Sequence, residues 1–248
     1  MLTADLSSKR ILVTGASSGL GRHFSTVLAA AGAHVIVAAR RPEALACLCD
    51  EIAASGGSAS SVLLDVTDAA WVRRAMAQAG PLDVLVNNAG ITVSRPFLEI
   101  TEDDYDMVVD TDQKGAFLVA QEAARTMRGR GGSIINIASI LGLRQAGTAT
   151  PYAMAKAALL QMTQQLGLEL ARFGIRCNAI APGYVETDLN RDFFATEAGR
   201  NLVNRIPMRR LGQLSDLDGA LLLLASDSSS FMSGSIITVD GGHLVSSL

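Results

Sequence analysis

The chain has 248 residues, of which 49% are apolar and 18% charged, and a formal net charge of −3. Such a chain can bury a sizeable core, is not disordered by composition, and lacks the basic surplus of a nucleic-acid binder. No apolar run approaches the ~18 residues of a membrane span, and the first residues, MLTADLSSKR, hold no signal-type stretch, so the cytoplasm is the expected location.

In chain order, the first apolar run, RILVT at 10–14, leads into TGASSGLG at 14–21 and a helix over about 18–31. A strand, a glycine turn and a helix amino terminus form an anion site, with backbone N–H groups and the helix dipole facing a phosphate. Gly15 suits the tight turn, Gly19 close approach of a pyrophosphate, and Gly21 close helix packing. The spacing is G-x-x-x-G-x-G rather than G-x-G-x-x-G, so an ordinary glycine-rich loop stays open at this point. The second strand, 34–39, ends in VAARRPEAL, with Ala38 and Ala39 where NAD enzymes place a carboxylate. Arg40 and Arg41 follow; guanidinium groups suit a 2′-phosphate and predict NADP in preference to NAD. Two arginines capping an exposed loop, with Glu43 as a nearby acidic candidate, are the alternative.

Helices at about 42–55, 67–78, 101–128, 151–172 and 213–225 then alternate with strands at 59–64, 83–86, 133–138, 175–180 and 235–239. Thr101 and Asp104 have the spacing of a capping box, with Asp replacing the usual Glu. The strands read as buried, and the alternation predicts a parallel sheet covered on both faces: a doubly wound, Rossmann-like α/β/α fold in one domain, 1–248. Cys47, Cys49 and Cys177 make no disulfide framework, and His23, His34 and His243 have no ligand spacing, so no metal is expected. Tyr152 and Lys156, in TPYAMAKAAL, stand at i and i+4 on one helix face, either as a surface contact or as a phenol beside a fixed positive charge.

TGASSGLG, NNAG at 87–90, Ser139 thirteen residues before Tyr152-x-x-x-Lys156, PGYVET at 182–187 and VDGG at 239–242 occur in this order. Over about 8–242 the chain resembles the short-chain dehydrogenases/reductases of the compact, single-domain type. The resemblance implies an oxidoreductase that interconverts a ketone and a secondary alcohol by hydride transfer to or from a nicotinamide. It makes Tyr152 the general acid/base, Ser139 the group that orients and polarises the carbonyl, and Lys156 the cation that favours phenolate and grips the nicotinamide ribose. It assigns Ser17, Ser18 and Leu20 to the cofactor turn with the three glycines. Asp65 and Val66 go beside the adenine, and Asn88, Ala89 and Gly90 along the ribose and pyrophosphate path. Pro182, Gly183, Val185 and Thr187 go to the nicotinamide.

In the family an asparagine on the long helix after NNAG completes a water-linked proton path to the lysine; here TDQKGAF puts Asp112 there, whose carboxylate would favour the charged form of Lys156 if the two are close. The substrate pocket should be shaped by the loop ILGLRQAGTAT and a lid at about 184–210, with Leu141, Arg144, Gln145 and Tyr184 as candidate contacts for a small carbonyl or alcohol. A solvated loop is the alternative for Arg144 and Gln145. Other readings are an NAD-dependent alcohol or polyol dehydrogenase and a 3-oxoacyl thioester reductase, whose carrier could meet Arg125, Arg128 and Arg130. A nucleotide-binding regulator without turnover is the non-enzymatic reading. The resemblance also implies a homotetramer.

Overall fold

The apolar runs form seven strands: β1 (Arg10–Thr14), β2 (His34–Ala39), β3 (Ser58–Leu63), β4 (Val84–Asn87), β5 (Gly132–Ile137), β6 (Ile175–Pro182) and β7 (Ile236–Val239). The computed structural model describes residues 4–186 and 191–246. All neighbouring strands pair in parallel in the order β3-β2-β1-β4-β5-β6-β7. The order reverses between β1 and β4, and in such sheets ligands bind at the carboxyl ends of the strands beside that reversal.

Helices cover both faces, as near-continuous apolar strands require. Ile11 and Val13 of β1 pack with Phe24 and Leu28 of α1 (Gly19–Ala30), Leu48 of α2 (Pro42–Ala54) and Leu221 of the helix Asp218–Ala225. Leu12, pointing the other way, joins Val72 of α3 (Ala69–Ala79) and Val119 and Met127 of α5 (Ala116–Met127). The two edge strands depart from the expectation of burial: only Val62 of β3 is buried, and no residue of β7 is. An edge strand has a neighbour on one side only, and its outer residues meet solvent.

The helix expected over 101–128 is interrupted. Thr101 and Asp104 do form the reciprocal capping box that starts α4 (Glu102–Val109), with bonds of 3.1 and 3.0 Å. A π-helical turn, Asp110–Gly115, then separates α4 from α5. At Gly115 a Cβ would stand 2.8 Å from Val66 Cγ2, so the turn packs against Val66 this closely only with a glycine there. The next helix, α6 (Thr150–Glu169), begins with Pro151 in its first turn, where a missing N–H costs nothing. Among the described residues, no helix is long and apolar enough to cross a membrane.

Candidate active site

The carboxyl ends of β1, β4, β5 and β6 border a cleft of about 1190 Å³. Gly15 and Gly19 both have positive φ, +67° and +53°, so the turn after β1 depends on glycine at these positions. A Cβ at Gly21 would stand 2.4 Å from the Gly15 carbonyl oxygen, whereas one at Gly19 would meet nothing within 4 Å. The room over Gly19 lies on the cleft side, since Gly15, Ser18, Gly19 and Leu20 all line it. A turn shaped in this way fits an anion approaching the backbone at the start of α1.

Thr14 fixes this turn to the end of β4. Its hydroxyl oxygen accepts from the backbone N–H of both Asn88 and Ala89 at 2.9 Å, and Asn88 Nδ2 donates to the Thr14 carbonyl at 2.9 Å. Asn88 therefore acts as a strut as well as lining the cleft, while Ala89 stands behind the wall. At the end of β2 the two arginines separate. Arg41 borders the cleft and donates to Ser17 Oγ and Ser18 Oγ at 2.9 and 3.2 Å, whereas Arg40 is exposed and does not border it. Asp65 accepts from its own neighbour Thr67, at 3.0 Å from N and 2.8 Å from Oγ1, and Val66 is buried; neither borders the cleft.

Ser139, Tyr152 and Lys156 line one end of the cleft with Gly90 and Asp112. Ser139 follows β5 with extended backbone (φ −164°), and its oxygen accepts from Leu141 N at 3.1 Å. Lys156 is only 4% exposed. Its Nζ donates to the Ile137 carbonyl at 3.1 Å and lies 5.4 Å from the centroid of the Tyr152 ring.

The π-helical turn delivers Asp112 beneath this group. Asp112 is fully buried; Oδ1 accepts from Ile91 N at 2.7 Å and Oδ2 lies 3.1 Å from Lys156 Nζ. The Oδ2 contact is an ion pair by distance without the alignment of a well-directed hydrogen bond. Gly90 makes room for it, since a Cβ there would meet Oδ2 at 2.7 Å. Burial drives Lys156 toward the neutral amine, but Tyr152 and Asp112 outweigh it and hold the ammonium above the ordinary lysine range. Burial raises Asp112 above the usual carboxylate value, opposed by Lys156 and the Ile91 N–H.

Pro182, Gly183, Tyr184 and Val185 continue the wall from the end of β6, with Leu141. Burial pushes the Tyr184 hydroxyl above its ordinary value, leaving it a neutral phenol. Its ring packs edge-on against Phe194 at 5.9 Å. Thr187 lies outside the described residues. Arg144 is not at the cleft: it donates to the His243 carbonyl and to Ser246 Oγ, at 3.1 Å for the latter, which ties its guanidinium to the end of the chain. Gln145 is exposed and also stands away from the cleft. Sequence reading missed Thr14, Ile91 and Ile137. Thr14 opens the TGASSGLG string and could have been found there; the other two act through backbone atoms, which carry no residue-type signal.

Comparisons with known proteins find relatives along essentially the whole chain. A family model described as enoyl-(acyl carrier protein) reductase matches residues 15–243. L-rhamnose 1-dehydrogenase (NAD(P)(+)) of Azotobacter vinelandii is 40% identical, covering 97% of this chain and 98% of its own length. The 3-oxoacyl-(acyl-carrier-protein) reductase of Thermotoga maritima is 36% identical, covering 97% and 99%. A solved gluconate 5-dehydrogenase from Burkholderia cenocepacia, in complex with NADP and tartrate, superposes with a TM-score of 0.94 at 37% identity, covering 98% of this chain and 97% of that one.

Proposed function

The chain belongs to the short-chain dehydrogenase/reductase family and is an NAD(P)-dependent oxidoreductase; from that premise we propose that it interconverts a ketone and a secondary alcohol with NADP(H), Tyr152 serving as general acid/base. One observation carries the reading: a buried ammonium, Lys156 Nζ, stands 5.4 Å from the Tyr152 ring on the cleft that the glycine turn opens into. NADP, when bound, supplies or accepts the hydride. The Gly15–Gly19 turn and the start of α1 would receive its pyrophosphate, and Arg41, with Ser17 and Ser18, its 2′-phosphate. Lys156 would hold the ribose hydroxyls and Val185 and Thr187 the carboxamide, with Pro182 and Gly183 beside the nicotinamide. The segment at 184–210, of which 187–190 lie outside the described residues, would cover the cleft through Tyr184, Phe193 and Phe194.

In reduction, Ser139 donates a hydrogen bond to the carbonyl oxygen and Tyr152 passes its phenolic proton to the same oxygen. Lys156 stabilises the phenolate left behind, and in oxidation the phenolate takes the proton back. Asp112 positions Lys156: its carboxylate keeps the amine charged at a depth where burial alone favours the neutral form.

Steady-state rates on a panel of ketones and secondary alcohols, with NADP(H) and NAD(H), test the reading. It expects turnover with preference for NADP(H); equal or better use of NAD(H) contradicts the role of Arg41. A nucleotide-binding regulator would bind either cofactor without turnover. A carrier-linked thioester gains no support from the three arginines at the end of α5, which are engaged locally: Arg125 with Glu122, Arg128 over the Phe173 ring at 5.2 Å, and Arg130 with Asp83 at 3.4 Å.

A further inference from the structure

Two loops meet at the mouth of the cleft, the one after β4 and the one before α6. Ser94 Oγ lies 3.0 Å from Thr148 Oγ1, and Arg95 N donates to the Thr148 carbonyl at 2.8 Å. The Arg95 guanidinium reaches Asp104 Oδ2 at 3.3 Å, the carboxylate that closes the capping box of α4, so the junction is anchored to a helix. Ser94 and Thr148 both line the cleft that holds Ser139 and Tyr152.

Thr148 has a φ of +62°, a left-handed conformation that is costly for a β-branched residue and free for glycine. Such strain persists only where the surroundings impose it, and it concentrates at functional sites. The Thr148 hydroxyl also reaches the Gly147 carbonyl at 2.7 Å, so the two side chains hold each other in place while each keeps a free lone pair. Two adjacent neutral hydroxyls, able to donate and accept, suit an incoming hydroxyl. They offer a carboxylate or phosphate no countercharge, and beside an alkyl chain they would lose hydration without replacement. Arg95, the cation next in sequence to Ser94, is paired with Asp104.

We propose that Ser94 and Thr148 form a hydroxyl-recognition subsite that selects carbonyl substrates carrying a neutral, polyhydroxylated arm, of sugar or polyol type. The assignment rests on the oxidoreductase reading of the cleft. It is tested by kcat/KM with NADPH for a 2-ketopentose and for 2-pentanone, in the parent, Ser94→Ala, Thr148→Gly and Tyr152→Phe. The parent should prefer the 2-ketopentose. Ser94→Ala should lose about tenfold on it, chiefly through KM, while 2-pentanone stays within about twofold. Thr148→Gly keeps a residue suited to the left-handed backbone while deleting the hydroxyl, and should lose the same selectivity without a fall in Tm. Equal losses on both ketones, no loss on either, or a parent that prefers 2-pentanone overturns the subsite alone. A parent inactive on both ketones, or full turnover by Tyr152→Phe, overturns the underlying reading and the subsite together.

Discussion

Lys156 shows at the scale of one residue how this site sets the state of a proton. Its stem is buried in α6, its head is held by the Ile137 carbonyl and Asp112, and a phenol lies across from it. Burial works against the ammonium, while Tyr152 and Asp112 outweigh it. Asp112→Asn removes one of the groups that raise Lys156, so the lysine should lose its proton at lower pH. The alkaline limb of the kcat/KM profile should then move down in pH relative to the parent; superimposable profiles would remove the carboxylate from the electrostatics of the site. Arg41→Ala should cut kcat/KM for NADPH by about ten- to a hundredfold, the value of a charge-assisted contact to phosphate, and leave NADH little changed. Arg40→Ala should do much less, because that side chain does not border the cleft.

Elements carry the next level, and two glycines of one turn separate folding from binding. Gly21→Ala would drive a Cβ to 2.4 Å from the Gly15 carbonyl, a backbone collision that should lower Tm sharply. Gly19→Ala meets nothing in the protein and incurs only the strain of its φ of +53°, about 1 kcal/mol. That variant should fold, yet bind NADP more weakly, because its methyl occupies the approach to the turn; thermal melts with and without NADP distinguish the two. The strings that marked this turn, NNAG and the Tyr152–Lys156 pair were legible because their geometry is local. The π-helical turn was not, and the close fit of Gly115 on Val66 joins residues far apart in sequence. The place of Arg144 was hidden for the same reason: its partners His243 and Ser246 lie about a hundred residues further along the chain.

At the scale of the whole molecule, parallel pairing and layering were legible from alternation, while the exposure of β3 and β7 depends on the strand order, which sets the edges. Exposed apolar side chains also collect around the long helices, among them Met107, Phe117, Met154 and Leu168. We propose that these faces meet other copies of the chain in a homotetramer; light scattering should report about four times the 25.9 kDa of one chain, and a monomer at micromolar concentration would contradict it. Ser139, Tyr152, Lys156 and the glycine turn all border one cleft of a single chain.

The most direct measurement is therefore steady-state turnover of the ketone and alcohol panel by Tyr152→Phe beside the parent, with NADP affinity measured for both. The hydroxyl deletion should reduce kcat by about 10²- to 10⁴-fold, the range of a lost general acid/base, with NADP affinity nearly unchanged. Undiminished turnover by the variant would contradict the assignment of the proton to Tyr152.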